Sequence, residues 1–432
     1  MSSDYDLVVL GGGLEGRIAA ITAVGYGARV ALVEPPGLFD NGQRQRFLLS
    51  GLQQLAQVRQ RQAVGEWFGD KTSIGALDWP ALIAWSRIAA ESAAARLSVG
   101  MMSASGVDVV LERPERLSRH MVVTTGRRRL SARGVLAAYG RVPFAMPLLK
   151  AAALPESADV VGGSILAIAW AEALAVMGVE VRLIAARVLP GADEDVRRLV
   201  RSQLIAAGIE ITTIASGDRV TLNVDPGEPA LTLPDFASDP LTKSPYLRVN
   251  RKLQTAHLRL FACGSAMAGS TNMRLAEYEA RIAVKNALFS PNRSVDYRAV
   301  VQGNERYARV GLTEAEAMRR YGVVVQVQTA SNAGSADLSR VAPLPMYCKL
   351  VLVGDRLAGV HLLGEGAEGL ACLLSKWMGK PMADLDDGSL SGQGLVWLVF
   401  ECVWRSRQSR WQVGHWRRDW AENWFNWRRS RG

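Results

Sequence analysis

Residues 5–34 read YDLVVLGGGLEGRIAAITAVGYGARVALVE. Leu7–Leu10 is an apolar, Val-containing run too short for a helix, and it predicts a buried parallel strand. Gly11, Gly12, Gly13 and Gly16 follow at once, and Gly11, Gly13 and Gly16 fit G-x-G-x-x-G. Arg17–Ala23 reads as a helix ended by Gly25 and Gly27. Arg29–Val33 is a second strand, closing on Glu34. The first glycine permits the tight strand-to-helix turn, the second lets the main chain approach a pyrophosphate, and the third lets helix pack on strand. The helix N-terminus offers unpaired N–H groups and a positive dipole end to phosphate. Glu34 stands about 20 residues on, where a carboxylate accepts the hydroxyls of an adenosine ribose. The order strand, glycines, helix, strand, acid predicts a dinucleotide-binding unit. The alternative for the same residues is a tight turn without a ligand.

The pattern recurs from Asp159 as DVVGGSILAIAWAEALAVMGVEVRLIAARVLPG. Gly162 and Gly163 are kept, but Ser164 and Ala167 stand where further glycines are expected. The second strand ends on Ala185 and Ala186, so no acid awaits a ribose. Arg187 could face a 2′-phosphate there, or be a solvated turn residue. Val160–Ile184 is apolar, but Gly162, Gly163, Glu172, Glu180 and Arg182 interrupt it, which fits strand–helix–strand and not a membrane span.

Between and beyond these copies the chain alternates. Pro35, Pro36 and Gly37 predict a loop and Arg46–Gln57 a helix. Trp79–Leu97 is a second helix with Asp78 as its N-cap, and Trp79, Leu82, Trp85 and Ile88 are its expected core face. Val107–Leu111, His120–Thr125, Arg127–Ser131 and Gly134–Ala138 read as four strands. Asp193–Ala207 is a helix, Ile209–Ile214 a strand and Asp225–Pro245 a loop. Leu260–Gly264 is a buried strand, followed by a helix over Glu277–Leu288. From about Asp296 the alternation in Gly322–Thr329, Tyr347–Gly354 and Gly359–Leu363 predicts antiparallel strands, and Ala367–Trp377 a helix. The fold class is α/β: two Rossmann-like dinucleotide-binding domains and a C-terminal α+β domain.

Composition sets the outer bounds. A chain of 432 residues, 49% hydrophobic and 21% charged, is globular with two to four domains. The start, MSSDYD, carries no secretory or transit pattern. Cys263, Cys348, Cys372 and Cys402 form no C-x-x-C pair, and with four His no metal-ligand spacing appears. They read as ordinary buried thiols of a cytoplasmic protein. The net charge of +10 is uneven: residues 404–432 hold eight Arg against Asp419 and Glu422, a net +6.

Taken together the motifs resemble the FAD-dependent pyridine nucleotide-disulfide oxidoreductases, the group of lipoamide dehydrogenase, glutathione reductase and mercuric reductase. Residues 8–35 look like that family's FAD-binding start. VLAAYGRVP at 135–143 is similar to its ATG-type loop, and VLPGADEDVRRLVRSQLIAAGIEI at 188–211 to its nicotinamide domain. LFACGSA at 260–266 is similar to its second FAD motif. RVGLTEAEAMRRYG at 309–322 and KLVLVGDRLAGVHLLGEGAEGL at 349–370 look like its dimerisation domain. The resemblance implies FAD on the first unit, NAD(P)H on the second, a homodimer, and small-molecule electron donors and acceptors. It assigns Gly11, Gly12, Gly13, Gly16 and Glu34 to the pyrophosphate and ribose, with Ala138, Gly140, Gly264 and Ser265 lining the flavin domain. A NAD(P) site would use Gly162, Gly163, Ser164 and Arg187. The implied domains are 1–150 and 256–294 for FAD, 151–255 for a degenerate NAD(P)-like unit, 295–392 for dimerisation and 393–432 for a tail.

The departures set the functional expectation. The family's C-x-x-x-x-C pair falls on Gly42 and Phe47, so no thiolate relay is present. Its catalytic His is also missing: no His lies between His361 and His415, where the chain reads DLDDGSLSGQG. Ser265 replaces an Asp, and the nicotinamide motif has Ala169 for a Glu and no ATG-type loop of its own. FAD binding is expected to survive, NAD(P) binding is weakened, and no side chain is assigned as catalytic. The expected function is a flavin-dependent oxidoreductase passing electrons directly to a small acceptor; the alternative is a non-catalytic, FAD-stabilised scaffold. In the tail Trp416, Trp420, Trp424 and Trp427 share a helical face. That face could pack on the body or a dimer partner, or lie on a membrane surface with Arg on anionic lipid. Nucleic acid is disfavoured, since no reader module accompanies the stripe.

Overall fold

The computed structural model describes residues 3–67, 69, 75–139, 144–215, 217–225, 246–267, 273–297, 300–332, 346–385, 392–413 and 415–431. The chain divides into two compact units, 1–190 with 200–296, and 191–199 with 297–432.

The first unit opens with β1 (Tyr5–Leu10), α1 (Leu14–Gly25) and β2 (Val30–Val33). Three helices follow, α2 (Leu38–Trp67), α3 (Trp79–Ala94) and the short α4 (Val99–Ala104). Then come β3 (Val107–Val110), β4 (Pro114–Leu117), β5 (Val122–Thr125), β6 (Arg129–Ala137) and α5 (Met146–Lys150). A second sheet starts with β7 (Ser157–Val161), α6 (Ile165–Val176), β8 (Glu180–Ile184), α7 (Glu194–Ala206), β9 (Glu210–Thr212) and β10 (Val220–Asn223). The chain returns to the first sheet with β11 (Leu260–Ala262) and α8 (Met273–Leu288).

In the first sheet the parallel order is β3-β2-β1-β6-β11, and β4 and β5 form an antiparallel excursion from the near end of β6. Leu7–Leu10 and Val30–Val33 are almost fully buried, as strands covered on both faces must be. The second sheet, β10-β7-β8-β9, is wholly parallel. Val160–Ile184 is therefore strand–helix–strand, and among the described residues no helix is long and apolar enough to cross a membrane.

Several expectations are corrected here. Residues 127–131 and 134–138 are one strand, β6, whose first half pairs with β5 and whose second half lies between β1 and β11. α2 is far longer than Arg46–Gln57. β4, β10 and α4 were not foreseen. On α3, Asp78 caps as expected, accepting from the Ala81 N–H at 2.9 Å. Trp79 and Leu82 are buried, but Trp85 is 40% and Ile88 60% exposed. The cause is helical phase: a strict i+3 series drifts about 60° per step. The buried face runs Trp79, Leu82, Ser86, Ala90, Ala94 instead. The loop read at Asp225–Pro245 lies, after Asp225, outside the described residues.

The second unit is built on β12 (Gln302–Gly303), β13 (Tyr307–Gly311), β14 (Val325–Ser331), β15 (Tyr347–Val353) and β16 (Arg356–Leu363), an antiparallel sheet ordered β12-β13-β16-β15-β14. Its helices are α9 (Glu314–Tyr321), α10 (Ala367–Leu374), α11 (Leu395–Val413) and α12 (His415–Arg429). α9 starts in a complete capping box between Thr313 and Glu316.

Residues 191–199 belong to this unit through charge. The Lys349 ammonium on β15 is 1% exposed and meets Glu314 at 2.7 Å, Asp195 at 3.0 Å and Asp193 at 3.2 Å. Burial would strip its proton, but the carboxylates outweigh that and hold the ammonium charged. Asp193 also accepts the Glu314 N–H at 3.0 Å, and Tyr347 donates to Asp195 at 2.6 Å. His361 on β16 closes the cluster, with Nε2 3.6 Å from Asp193 and Nδ1 buried without a partner among the described residues.

Burial lowers the His361 pKa to about 4, against the opposite pull of Asp193. Its unfolded value is near 6.5. The native state thus binds fewer protons than the unfolded chain between these values, and stability present above pH 6.5 is lost as pH falls toward 4. Urea unfolding followed at pH 7, 6 and 5 should show a falling midpoint, with about 3 kcal/mol the ceiling for this one group. A His361→Gln chain should show a flatter profile, and an equally steep one would place the acid sensitivity elsewhere.

Candidate functional site

The site forms where α1 leaves β1 and where β11 ends beside β6. Gly11 has φ of +112°, and a Cβ there would overlap the Ala138 carbonyl, while one at Gly16 would overlap the Gly11 carbonyl. Gly13 is the extended N-cap of α1 and offers no side-chain cap. The main chain therefore builds the cradle expected for a pyrophosphate, and Ala138 is its buried wall. Gly140 lies outside the described residues. Next to Ala138, the Tyr139 hydroxyl is buried and finds no hydrogen-bond partner among the described residues.

Glu34 reaches the position expected of it at the end of β2, but its carboxylate has a partner. Arg17 Nη2 lies 2.5 Å from Glu34 Oε1 and Arg17 Nε donates to Oε2 at 3.2 Å. The same guanidinium donates to the Leu97 carbonyl at 2.6 Å and stacks 4.0 Å from the Phe39 ring centre. Both side chains are at least 95% buried. Burial pushes the Glu34 carboxyl above the ordinary carboxylate range, opposed by Arg17. A Cβ at Gly12 would collide with the Glu34 carboxylate, so this glycine makes room for the pair.

A second carboxylate stands in the first turn of α1. Glu15 is almost buried, and Ser265 Oγ donates to its Oε1 at 2.7 Å. The neighbouring Gly264, with φ of +57°, donates its N–H to Glu279 Oε2 of α8 at 2.8 Å. The structure thus brings Gly264 and Ser265 to the α1 turn, together with Glu15, Arg17 and Glu279, which sequence reasoning passes over. The signal was present: an acid inside the glycine motif and a base immediately after its last glycine.

The second unit of the motif is built the same way. Gly162 has φ of +134°, and Gly163 packs against the Arg187 carbonyl. Ser164 caps α6 through the Ala167 N–H at 3.3 Å. The Ser164 N–H itself is taken by the Asp225 carboxylate at 2.7 Å. Arg187 is exposed.

Comparison with known proteins agrees with this architecture. Residues 5–233, more than half of the chain, match the family described as pyridine nucleotide-disulphide oxidoreductase. The chain belongs to that family. It is similar to a dihydrolipoyl dehydrogenase of Bacillus subtilis (strain 168), 24% identical over 431 residues, covering 84% of this chain and 89% of that protein. A mercuric reductase of Lysinibacillus sphaericus is 23% identical over 414 residues, covering 84% and 75%. A dihydrolipoyl dehydrogenase of Acholeplasma laidlawii is 29% identical over 250 residues, covering 51% of this chain and 71% of that protein.

Members of the family are FAD-dependent oxidoreductases with NAD(P) as substrate. The residues here fit FAD: the glycine cradle, the acid at the end of β2, and the buried Tyr139 hydroxyl with no partner among the described residues are all present. Gly42 and Phe47, where the resemblance puts the family's cysteine pair, lie on α2. Cys263, Cys348 and Cys402 are buried and only Cys372 is exposed.

Removing one partner of a buried pair leaves an uncompensated charge. Arg17→Met should lower unfolding stability by about 3–5 kcal/mol in thermal or urea melts. Arg17→Met with Glu34→Leu should lose clearly less, since no charge is then stranded. Equal losses would mean that packing, not charge pairing, holds this corner.

Proposed function

We propose that the chain is an FAD-dependent oxidoreductase that works without the disulfide relay of its family. The observation that carries this reading is α2, where Gly42 and Phe47 offer no thiol. Burial also holds the Cys263 and Cys348 thiols well above their ordinary range, where they are poor nucleophiles. When bound, FAD supplies the two-electron redox chemistry. The protein's share is to place it through Gly11, Gly12, Gly13, Gly16, Ala138, Gly264 and Ser265, with Gly140 added by resemblance. Glu34 joins them once Arg17 releases it. Its reaction partners are a small-molecule donor and a small-molecule acceptor. NAD(P)H at Gly162, Gly163, Ser164 and Arg187 is the weaker half, because Asp225 already occupies the first turn of α6. The domain division expected from the sequence is retained in this proposal, as are a homodimer and a cytoplasmic location. Anaerobic titration of the FAD-loaded chain with NADH and NADPH tests it. Bleaching of the flavin band without oxidation of dihydrolipoamide is the expected outcome. Turnover of dihydrolipoamide would end the proposal, and a band that persists with both nucleotides would remove them as donors.

A second reading, a scaffold that docks through its tail, has its own observation. On α12, Trp420, Trp424 and Trp427 are 44–56% exposed. Trp420 and Trp424 stack at 6.1 Å, Trp424 and Trp427 at 5.0 Å, and the Arg431 guanidinium lies 4.3 Å from the Trp427 ring. Indole rings beside guanidinium groups suit an anionic lipid surface. The side chain of Trp416 lies outside the described residues. The full chain should co-sediment with phosphatidylglycerol vesicles and not with phosphatidylcholine vesicles. Changing Trp420, Trp424 and Trp427 together to Ala should cut the bound fraction at least fivefold; an unchanged fraction removes the membrane.

A further inference from the structure

We infer that Glu15 is a built-in competitor for the FAD pyrophosphate, holding the anion-binding turn of α1 with the chain's own carboxylate until the cofactor displaces it. The inference rests on the FAD reading above and deepens it. A helix N-terminus attracts negative charge whether it comes from phosphate or from a side chain. Glu15 is the second residue of α1, in that positive first turn, and it is 9% exposed. Its carboxylate does not point to water. It reaches across to β11's end and takes the Ser265 hydroxyl at 2.7 Å, the group that the resemblance assigns to the cofactor. The N–H of the adjoining Gly264, a residue that the resemblance places beside the cofactor, is taken by Glu279 at 2.8 Å. Glu279 is 3% exposed. Two carboxylates thus consume the donors that a dinucleotide would use.

Arg17, in the same first turns of α1, is paired with Glu34. The Cys263 thiol feels the same surroundings: burial raises its pKa, and the charges of Glu15 and Glu279 raise it further. A pyrophosphate entering this corner meets like charge in a desolvated setting, where repulsion is least screened. The carboxylate must swing off Ser265 before the phosphates settle. Asp225 on the Ser164 N–H repeats the arrangement in the second unit, at 2.7 Å. FAD is accordingly a weakly held, exchangeable ligand here, and Glu15 is the residue that sets its affinity.

The test is direct binding of FAD to the purified, flavin-free full chain, followed by quenching of flavin fluorescence. Glu15→Ala should bind FAD at least tenfold more tightly than the unaltered chain. Glu15→Gln, which keeps the hydrogen bond and removes the charge, should fall between them and covers the case in which the Ala variant unfolds. Glu91→Ala, an exposed acid on α3, should leave the affinity unchanged and separates this effect from net charge. Affinities of both Glu15 variants within twofold of the unaltered chain would overturn the competitor and leave the FAD reading standing. No quenching by any variant at 100-fold excess FAD would overturn both.

Discussion

The buried pair between Arg17 and Glu34 is the constraint on which the first unit turns. It joins α1 to the end of β2, ties both to the Leu97 carbonyl, and stacks on Phe39 at the start of α2. Three elements and the turn at Leu97 therefore meet at one guanidinium. Such a pair is costly to desolvate and gives its return in specificity of arrangement as much as in stability. It also explains Gly12, which a search for G-x-G-x-x-G treats as a free position. The carboxylate of Glu34 occupies the space where a side chain at residue 12 would go.

The second unit solves a similar problem in another way. Lys349 lies among Asp193, Asp195 and Glu314, so one buried cation meets three acids. Two of these acids come from the nine-residue segment 191–199 that the unit borrows from the middle of the chain. The polar cluster specifies where that segment lies, a task that apolar contact alone performs loosely. His361 remains neutral beside it because burial outweighs the pull of Asp193.

Much of this was legible in the sequence, and the misses have definite causes. The glycine motif, the second copy, the return at Leu260 and the late antiparallel sheet follow from local pattern, and local pattern is what a sequence exposes. The face of α3 was misread because i+3 spacing was extended past the point where helical phase allows it; Ser86 and Ala90 carry the buried side instead of Trp85 and Ile88. β6 was split in two because its polar half pairs with β5 and its apolar half lies inside the parallel sheet. The partners of Glu34 and Glu15 could be suspected from the residues around the motif. Their pairing is a long-range fact: 250 residues separate Ser265 from Glu15.

The position of β11 has a consequence for how the chain reaches this structure. Leu260–Ala262 pairs with Val135–Ala137, so the first sheet is completed only after the whole second sheet has been synthesised. During translation the far half of β6 presents an open, apolar edge while β7 to β10 emerge and assemble. Contacts this distant in sequence form late and slowly, and an unpaired strand edge is a hazard for association with other chains. The second sheet is thus an insertion in time as well as in space: it can fold locally, while the domain that begins the chain waits for β11 and α8 to close it.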